Sequence, residues 1–294
     1  MKAMAALIKR EYLEHRGAFL YAPLGLLAIF TLAVASALVL NKVRLPFEVG
    51  VPSALKLYEL GLAFSAALWF VYLMVALFFY YADAFSADRR NNSMFFWKSM
   101  PVSDFKVLSS KMLAGMTIFP ALIFLAVLAT GVVLYLHTML ALAVMPRLAV
   151  PGVFDVLATS FRLGLFILVY MGLAVLWYAP YFAWVGALST VFRRWSIPLA
   201  FLIPALVGLL EKLFLPDNGP GAGYFLSFVR QRADFSLDHS DLELAFFSEA
   251  PANIGLLLQS LLARIDWPQM AAGLIFAALA VYAASEYRRR VIST

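Results

Sequence analysis

The sequence predicts an all-α polytopic membrane protein: six transmembrane helices, both termini cytoplasmic, and an amphipathic interface helix at the N-terminus. Three observations lead there. Apolar residues, Tyr included, make up 64% of the 294-residue chain and charged residues only 14%, against roughly 25% charged in soluble domains. A soluble fold of this size has too little polar surface to cover that load. Charge-free runs long enough to cross a bilayer also recur along the chain, and basic residues gather between alternate runs. No linker or repeat divides the sequence, so residues 1–294 form one membrane domain.

In Lys2 to Arg16, Met4, Leu7, Ile8 and Tyr12 recur at helical spacing, with Lys9, Arg10, Glu14 and Arg16 on the other side. This helix (1–16) either lies flat in the cytoplasmic interface or prolongs the first span into the cytoplasm. The first span is 17–40. Ala35-Ser36-Ala37 has the small residues of a signal cleavage site, but the long apolar run and the preceding Glu11 and Glu14 favour an uncleaved span. The spans at 60–82, 112–136 and 163–191 follow from their charge-free windows. The last, 267–285, carries Trp267 and Tyr282 where interfacial anchors belong.

The fifth segment, 195–215, is the difficult one. Only 16 residues separate Arg194 from Glu211, and Pro198 and Pro204 interrupt the backbone. It crosses if Glu211 and Lys212 lie at the far interface; the alternative is a re-entrant segment. Charge favours crossing. With six spans, cytoplasmic segments hold 14 of the 23 basic residues and 6 of the 17 acidic ones. Without the fifth span, the Arg288–Arg290 cluster falls outside, against the positive-inside rule.

Two segments outside the spans are informative. The cytoplasmic loop 83–111 runs through Asp88-Arg89-Arg90, then Phe95-Phe96-Trp97-Lys98, then Pro101, with Ser103 placed to cap the next helix. Three large aromatics flanked by charge suit either an anchor at a protein interface or a belt at lipid headgroups. The extracytoplasmic loop 216–266 opens on the turn cluster Asp217-Asn218-Gly219-Pro220-Gly221. It closes on a helical stripe of Ile254, Leu257, Leu258, Leu261, Leu262 and Ile265. That stripe suits a helix at the outer interface or the core of a small lid.

Chemistry of its own is scarce. The chain has no cysteine and three widely separated histidines, which removes thiolate metal sites and makes a histidine-rich site improbable. It lacks a G-x-x-x-x-G-K-[ST] phosphate loop and the common hydrolase and dinucleotide motifs. Ionisable residues such as Asp83, Glu211, Lys212 and Glu286 fall at span ends, whereas ion-coupled carriers usually place them near mid-bilayer. The net charge of +6 is accounted for by the membrane topology, so no nucleic-acid partner is expected.

These residues resemble the ABC-2 type transporter permeases. The opening Leu7-Ile8-Lys9-Arg10-Glu11-Tyr12 before a first span is similar to the start of that family. The run from Asp88-Arg89-Arg90 through Phe96-Trp97-Lys98-Ser99-Met100-Pro101-Val102-Ser103 to Ser110-Lys111-Met112 is similar to its cytoplasmic segment between spans two and three. The likeness covers the whole chain in layout and about the first 112 residues in motif. It implies a non-catalytic membrane subunit, most often of an exporter, paired with a second permease chain and with separate ABC ATPase subunits. ATP and Mg would be bound by those partners, and no cofactor or metal by this chain. Ser86 to Pro101 would match the coupling helix, with Asp88, Arg89, Arg90, Phe95, Phe96, Trp97, Lys98 and Pro101 at the ATPase. Lys9, Arg10, Glu11 and Tyr12 would lie in the family's interface helix. The resemblance favours docking over a lipid belt for the aromatics, and a bacterial inner membrane as location.

Two other classes stay open: a membrane scaffold or assembly factor, and a lipid-modifying membrane enzyme. The enzyme needs clustered acids or histidines, which Asp83 with Asp88, or His137 and His239 beside Asp238 and Asp241, supply poorly. ATP-dependent behaviour of a purified complex separates scaffold from transporter. Because the native chain has no cysteine, introduced thiols report topology directly. Cysteines at Ser93 and Ser293 are expected to label from the cytoplasm and one at Asn218 from outside; opposite labelling at 293 means the fifth segment does not cross.

Overall fold

The computed structural model describes residues 2–40, 53–90, 102–144, 151–214, 223–235 and 251–291. Every regular element among them is helical. Five stretches are long and apolar enough to cross a membrane: Ala3–Val39, Ala54–Asp88, Asp104–Ala141, Val153–Phe214 and Trp267–Arg290. The protein is an all-helical membrane protein.

Helix α1 (Lys2–Arg16) continues through a π-helical turn, Gly17–Tyr21, into α2 (Ala22–Val39). The unbroken helical path makes α1 a prolongation of the first apolar helix. Helix α3 (Ala54–Arg90) has 37 residues and spans about 55 Å at the usual helical rise. Helix α4 (Asp104–Met116) is capped by Ser103, whose hydroxyl accepts from Lys106 N, as its position predicts. The path breaks at Thr117 (φ −123°, ψ −67°) before α5 (Ile118–Val144). Pro120 supplies the cause, since it has no N–H for the carbonyl one turn earlier.

Helix α6 (Val153–Phe192) has 40 residues and packs against α3 along much of its length. The 3-10 turn Arg193–Trp195 then reverses the chain into α7 (Ser196–Phe214), which lies back on α6 and α3. Ala200 meets Leu188, Val185 and Ala82, while Phe78 packs on Phe201. The predicted fifth segment is therefore helical, as the second limb of a hairpin with α6. Helix α10 (Trp267–Val291) closes the bundle against α6 and α4.

Polar side chains join the long helices within the apolar layer. Trp69 donates Nε1–H to Thr130 Oγ1 at 2.9 Å, and Tyr58 reaches the Gly131 carbonyl at 3.2 Å and Ser160 Oγ at 2.8 Å. Such bonds hold helices together where lipid tails remove the ordinary hydrophobic drive for packing.

A cap covers the end of the bundle opposite the chain's first residues. Helix α8 (Tyr224–Ala233), which the polar start of its loop did not predict, is held at both ends. Glu211 accepts Tyr224 N at 2.6 Å and Phe225 N at 2.8 Å, so its carboxylate fills the N-terminus of α8. Four aromatic donors on α6 reach carbonyls at and beyond the C-terminal half of α8. Tyr181 bonds Val229 O, Trp177 Nε1 bonds Arg232 O, Tyr178 bonds Ala233 O and Tyr170 bonds Phe235 O. Arg232 returns the contact: it stacks on Trp177 and donates to the carbonyls of Trp177 and Gln269. Helix α9 (Ile254–Arg264), capped by Asn253, buries Ile254, Leu257 and Leu261, with Ile265 just beyond it also buried. Of the predicted stripe, Ile254, Leu257 and Leu261 pack into the bundle core with Leu258 against it, while Leu262 faces outward.

Gly115 on α4 tests the packing. A Cβ there would lie 2.1 Å from the buried Tyr81 hydroxyl, which is already committed to Met112 O. Gly115→Ala is expected to destabilise by about 1–3 kcal/mol, read as a lower unfolding temperature in detergent. Gly172→Ala, with open space around its Cβ, is the control and leaves that temperature unchanged or raised.

Candidate functional site

The two described ends of the 83–111 loop meet in a cluster of buried charge. Asp88 lies in the last turn of α3 and Asp104 opens α4. Arg288 of α10 contacts both: Nη1 is 2.8 Å from Asp88 Oδ2 and Nε is 2.7 Å from Asp104 Oδ1. The first contact is a hydrogen bond; in the second the N–H is not aimed at the oxygen, so it is an ion pair only.

About two turns further along α4, Lys111 donates Nζ to Glu11 Oε1 of α1 at 3.0 Å and stands 3.8 Å from Asp88 Oδ1. Arg10 approaches Asp88 from α1 at 3.7 Å and also pairs with Glu14 at 3.5 Å. Tyr80 completes the linkage from α3, donating toward Glu11 Oε2 at 3.2 Å and the Lys111 carbonyl at 3.0 Å. Glu11, Asp88, Lys111 and Arg288 are each 1–2% exposed. Below them Phe19 stacks flat on Phe119 at 3.9 Å, and His15 stands edge-on to Tyr80.

Local sequence explains why charge sits there. Glu11 follows Leu7 by one turn, Lys111 follows Leu108, Asp88 follows Phe85 and Ala84, and Arg288 follows Val281 and Ala284. Each charge thus occupies an apolar-face position of its helix. Three acids (Glu11, Asp88, Asp104) pair with three bases (Arg10, Lys111, Arg288) in the knot, and Glu14 also pairs with Arg10. Removing one partner from such a pair leaves an uncompensated buried charge, and the four helices are thereby held in one register.

The predicted residues divide clearly. Asp88, Arg10 and Glu11 enter the cluster, Glu11 as a buried ion-pair partner. Lys9 is exposed and Tyr12 half-buried. Arg89 and Arg90 close α3. Phe95, Phe96, Trp97, Lys98 and Pro101 lie outside the described residues, as do Asp217–Gly221 and His239 with Asp238 and Asp241. Lys111, Arg288 and Tyr80 were not singled out as site residues by sequence reasoning. The signal was available, because a charge at an apolar-face position of an otherwise buried helix needs a partner.

The arrangement holds no nucleophile beside a base, and among the described residues no three His, Asp or Glu gather to hold a metal ion. The cluster ties the described ends of the 83–111 loop, on α3 and α4, to α1 and α10. No family model matches the chain, and no curated protein or solved structure matches it either.

Arg288→Met removes the hydrogen-bonded partner of Asp88 and the ion-pair partner of Asp104, and is expected to destabilise by roughly 3–5 kcal/mol. Adding Asp88→Asn should recover part of that loss, giving a coupling of about 0.5–3 kcal/mol in a double-mutant cycle. Additive losses in detergent unfolding would mean the pair does not couple α3 to α10.

Proposed function

We propose that this chain is the transmembrane permease subunit of an ATP-driven ABC transporter, coupled to separate ATPase subunits through the loop between its second and third spans. One observation carries the reading: Arg288 contacts Asp88 and Asp104, the described residues on either side of that loop's central segment. A push on the central segment would pass into α3, α4 and α10 together, and through Lys111–Glu11 into α1. A soft, solvated loop would dissipate the same push.

In this reading the chain crosses six times, with both termini in the cytoplasm and α7 as the fifth crossing. The membrane is a bacterial inner membrane, and a second permease chain completes the pathway. Closure of the ATPase dimer on ATP moves the docking loops, and the bundles rotate as rigid bodies between inward and outward arrangements. The cargo is amphiphilic, a lipid or peptide, exported because the two arrangements bind it with different affinity. No covalent step falls to this chain.

Trp97 and Phe96 are the aromatic anchors of the docking surface. Trp97→Ala or Phe96→Ala is expected to weaken capture of the ATPase subunit about tenfold or more, with the unfolding temperature of the isolated chain unchanged. Unaltered pull-down together with unaltered stimulation of ATP hydrolysis rejects the docking assignment.

A further inference from the structure

The hairpin turn between α6 and α7 carries a feature that the coupling role does not use. Arg193 has φ 52° and ψ −111°, and it is the one non-glycine residue with positive φ among those described. Glycine adopts such a backbone freely, whereas a Cβ makes it strained. Strain of this kind persists where the side chain has a task. Yet among the described residues neither Arg193 nor Arg194 has an ion-pair or hydrogen-bond partner for its guanidinium, and both are exposed.

The two arginines line an open recess of about 280 Å³, with Ser86, Asp83 and Phe79 of α3 on the facing wall. Ser196, at the base of the turn, donates to the Ala82 carbonyl at 3.4 Å. That contact sets the depth. Ala82 ends the charge-free run of α3 and Asp83 follows it, so the recess opens where apolar bilayer gives way to headgroups. Beside it Trp195 is 68% exposed and Phe192 46%, as aromatic side chains at that level are.

We propose that Arg193 and Arg194 form a binding site for the phosphodiester headgroup of a membrane phospholipid. A guanidinium matches phosphate oxygens through paired N–H donors, and consecutive arginines on a tight turn can engage one phosphate from two sides. The exposed aromatics flank the upper acyl chains. At the depth of the headgroups, the phosphodiester of a phospholipid is the anion at hand. The site requires only that the chain lies in a membrane, and it stands whether or not an ATPase drives it.

The test is thermal unfolding of the full chain in neutral detergent, with phosphatidylglycerol, phosphatidylethanolamine, diacylglycerol or soluble glycerol phosphate added. The two phospholipids are expected to raise the unfolding temperature, and diacylglycerol and glycerol phosphate to leave it unmoved. Arg193→Gly relieves the backbone strain, so it should unfold at a higher temperature than the native chain without lipid while losing about tenfold or more in phospholipid affinity. Arg194→Ala should lose the lipid response with no gain in lipid-free stability. An unchanged phospholipid response in both variants overturns the site. An equal response to glycerol phosphate assigns a free phosphate ligand and overturns the lipid. Loss of ATPase capture with the phospholipid response intact makes the turn a protein-docking element instead.

Discussion

Buried charge at the edge of an apolar layer is tolerated only when every charge finds a partner, and that constraint organises this protein. Four helices deliver Glu11, Asp88, Lys111 and Arg288 to one point, each almost fully buried. Displacing any one helix along its axis by a single residue would separate charges that now stand 2.8–3.8 Å apart. Apolar contacts alone would not object so strongly, because a helix face of Leu, Val and Phe meets its neighbour nearly as well after a small shift. The charges therefore define register, and the aromatic floor beneath them, Phe19 on Phe119, supplies the packed base.

The same logic recurs at the other end of the bundle with different chemistry. Lys56 and Glu59, both buried, pair at 3.2 Å, and Glu59 also accepts the backbone N–H of Ala252 ahead of α9. The short α8 is held by backbone carbonyls: three α6 aromatics donate to it and a fourth to Phe235 just beyond it, and Arg232 donates back to carbonyls on α6 and α10. Pro180 lies within that stretch of α6 and leaves a neighbouring carbonyl without its helical donor, loosening the backbone where Arg232 reaches Trp177 O. The long central helices thus run between two pinned ends, and their middle sections are joined by isolated hydroxyl and indole bonds.

A bundle built this way is stiff along its axes and clasped around one loop. In the proposed coupling role force enters at one place and must appear at another, and a soft element would absorb the displacement. The turn bearing Arg193 and Arg194 sits at nearly the same depth as the buried knot, yet it points its charges outward. The protein accordingly has two classes of cation at one level, one consumed by internal acids and one left to the surroundings.

Composition, charge-free windows and the lean of Lys and Arg were enough to establish from sequence an all-helical membrane chain. Ser103 as a cap and the Ile254–Ile265 stripe were legible too, because capping and helical spacing are local properties. Helix α8 was hidden by a polar, turn-rich approach, since its stability comes from Glu211 and the α6 aromatics rather than from its own residues. Glu11, Lys111 and Arg288 are far apart in sequence, and each alone resembles a solvated charge near a helix end. Only packing reveals that they and Asp88 occupy apolar-face positions on four converging helices, because a charge's partner is a matter of distance in space and not of spacing along the chain.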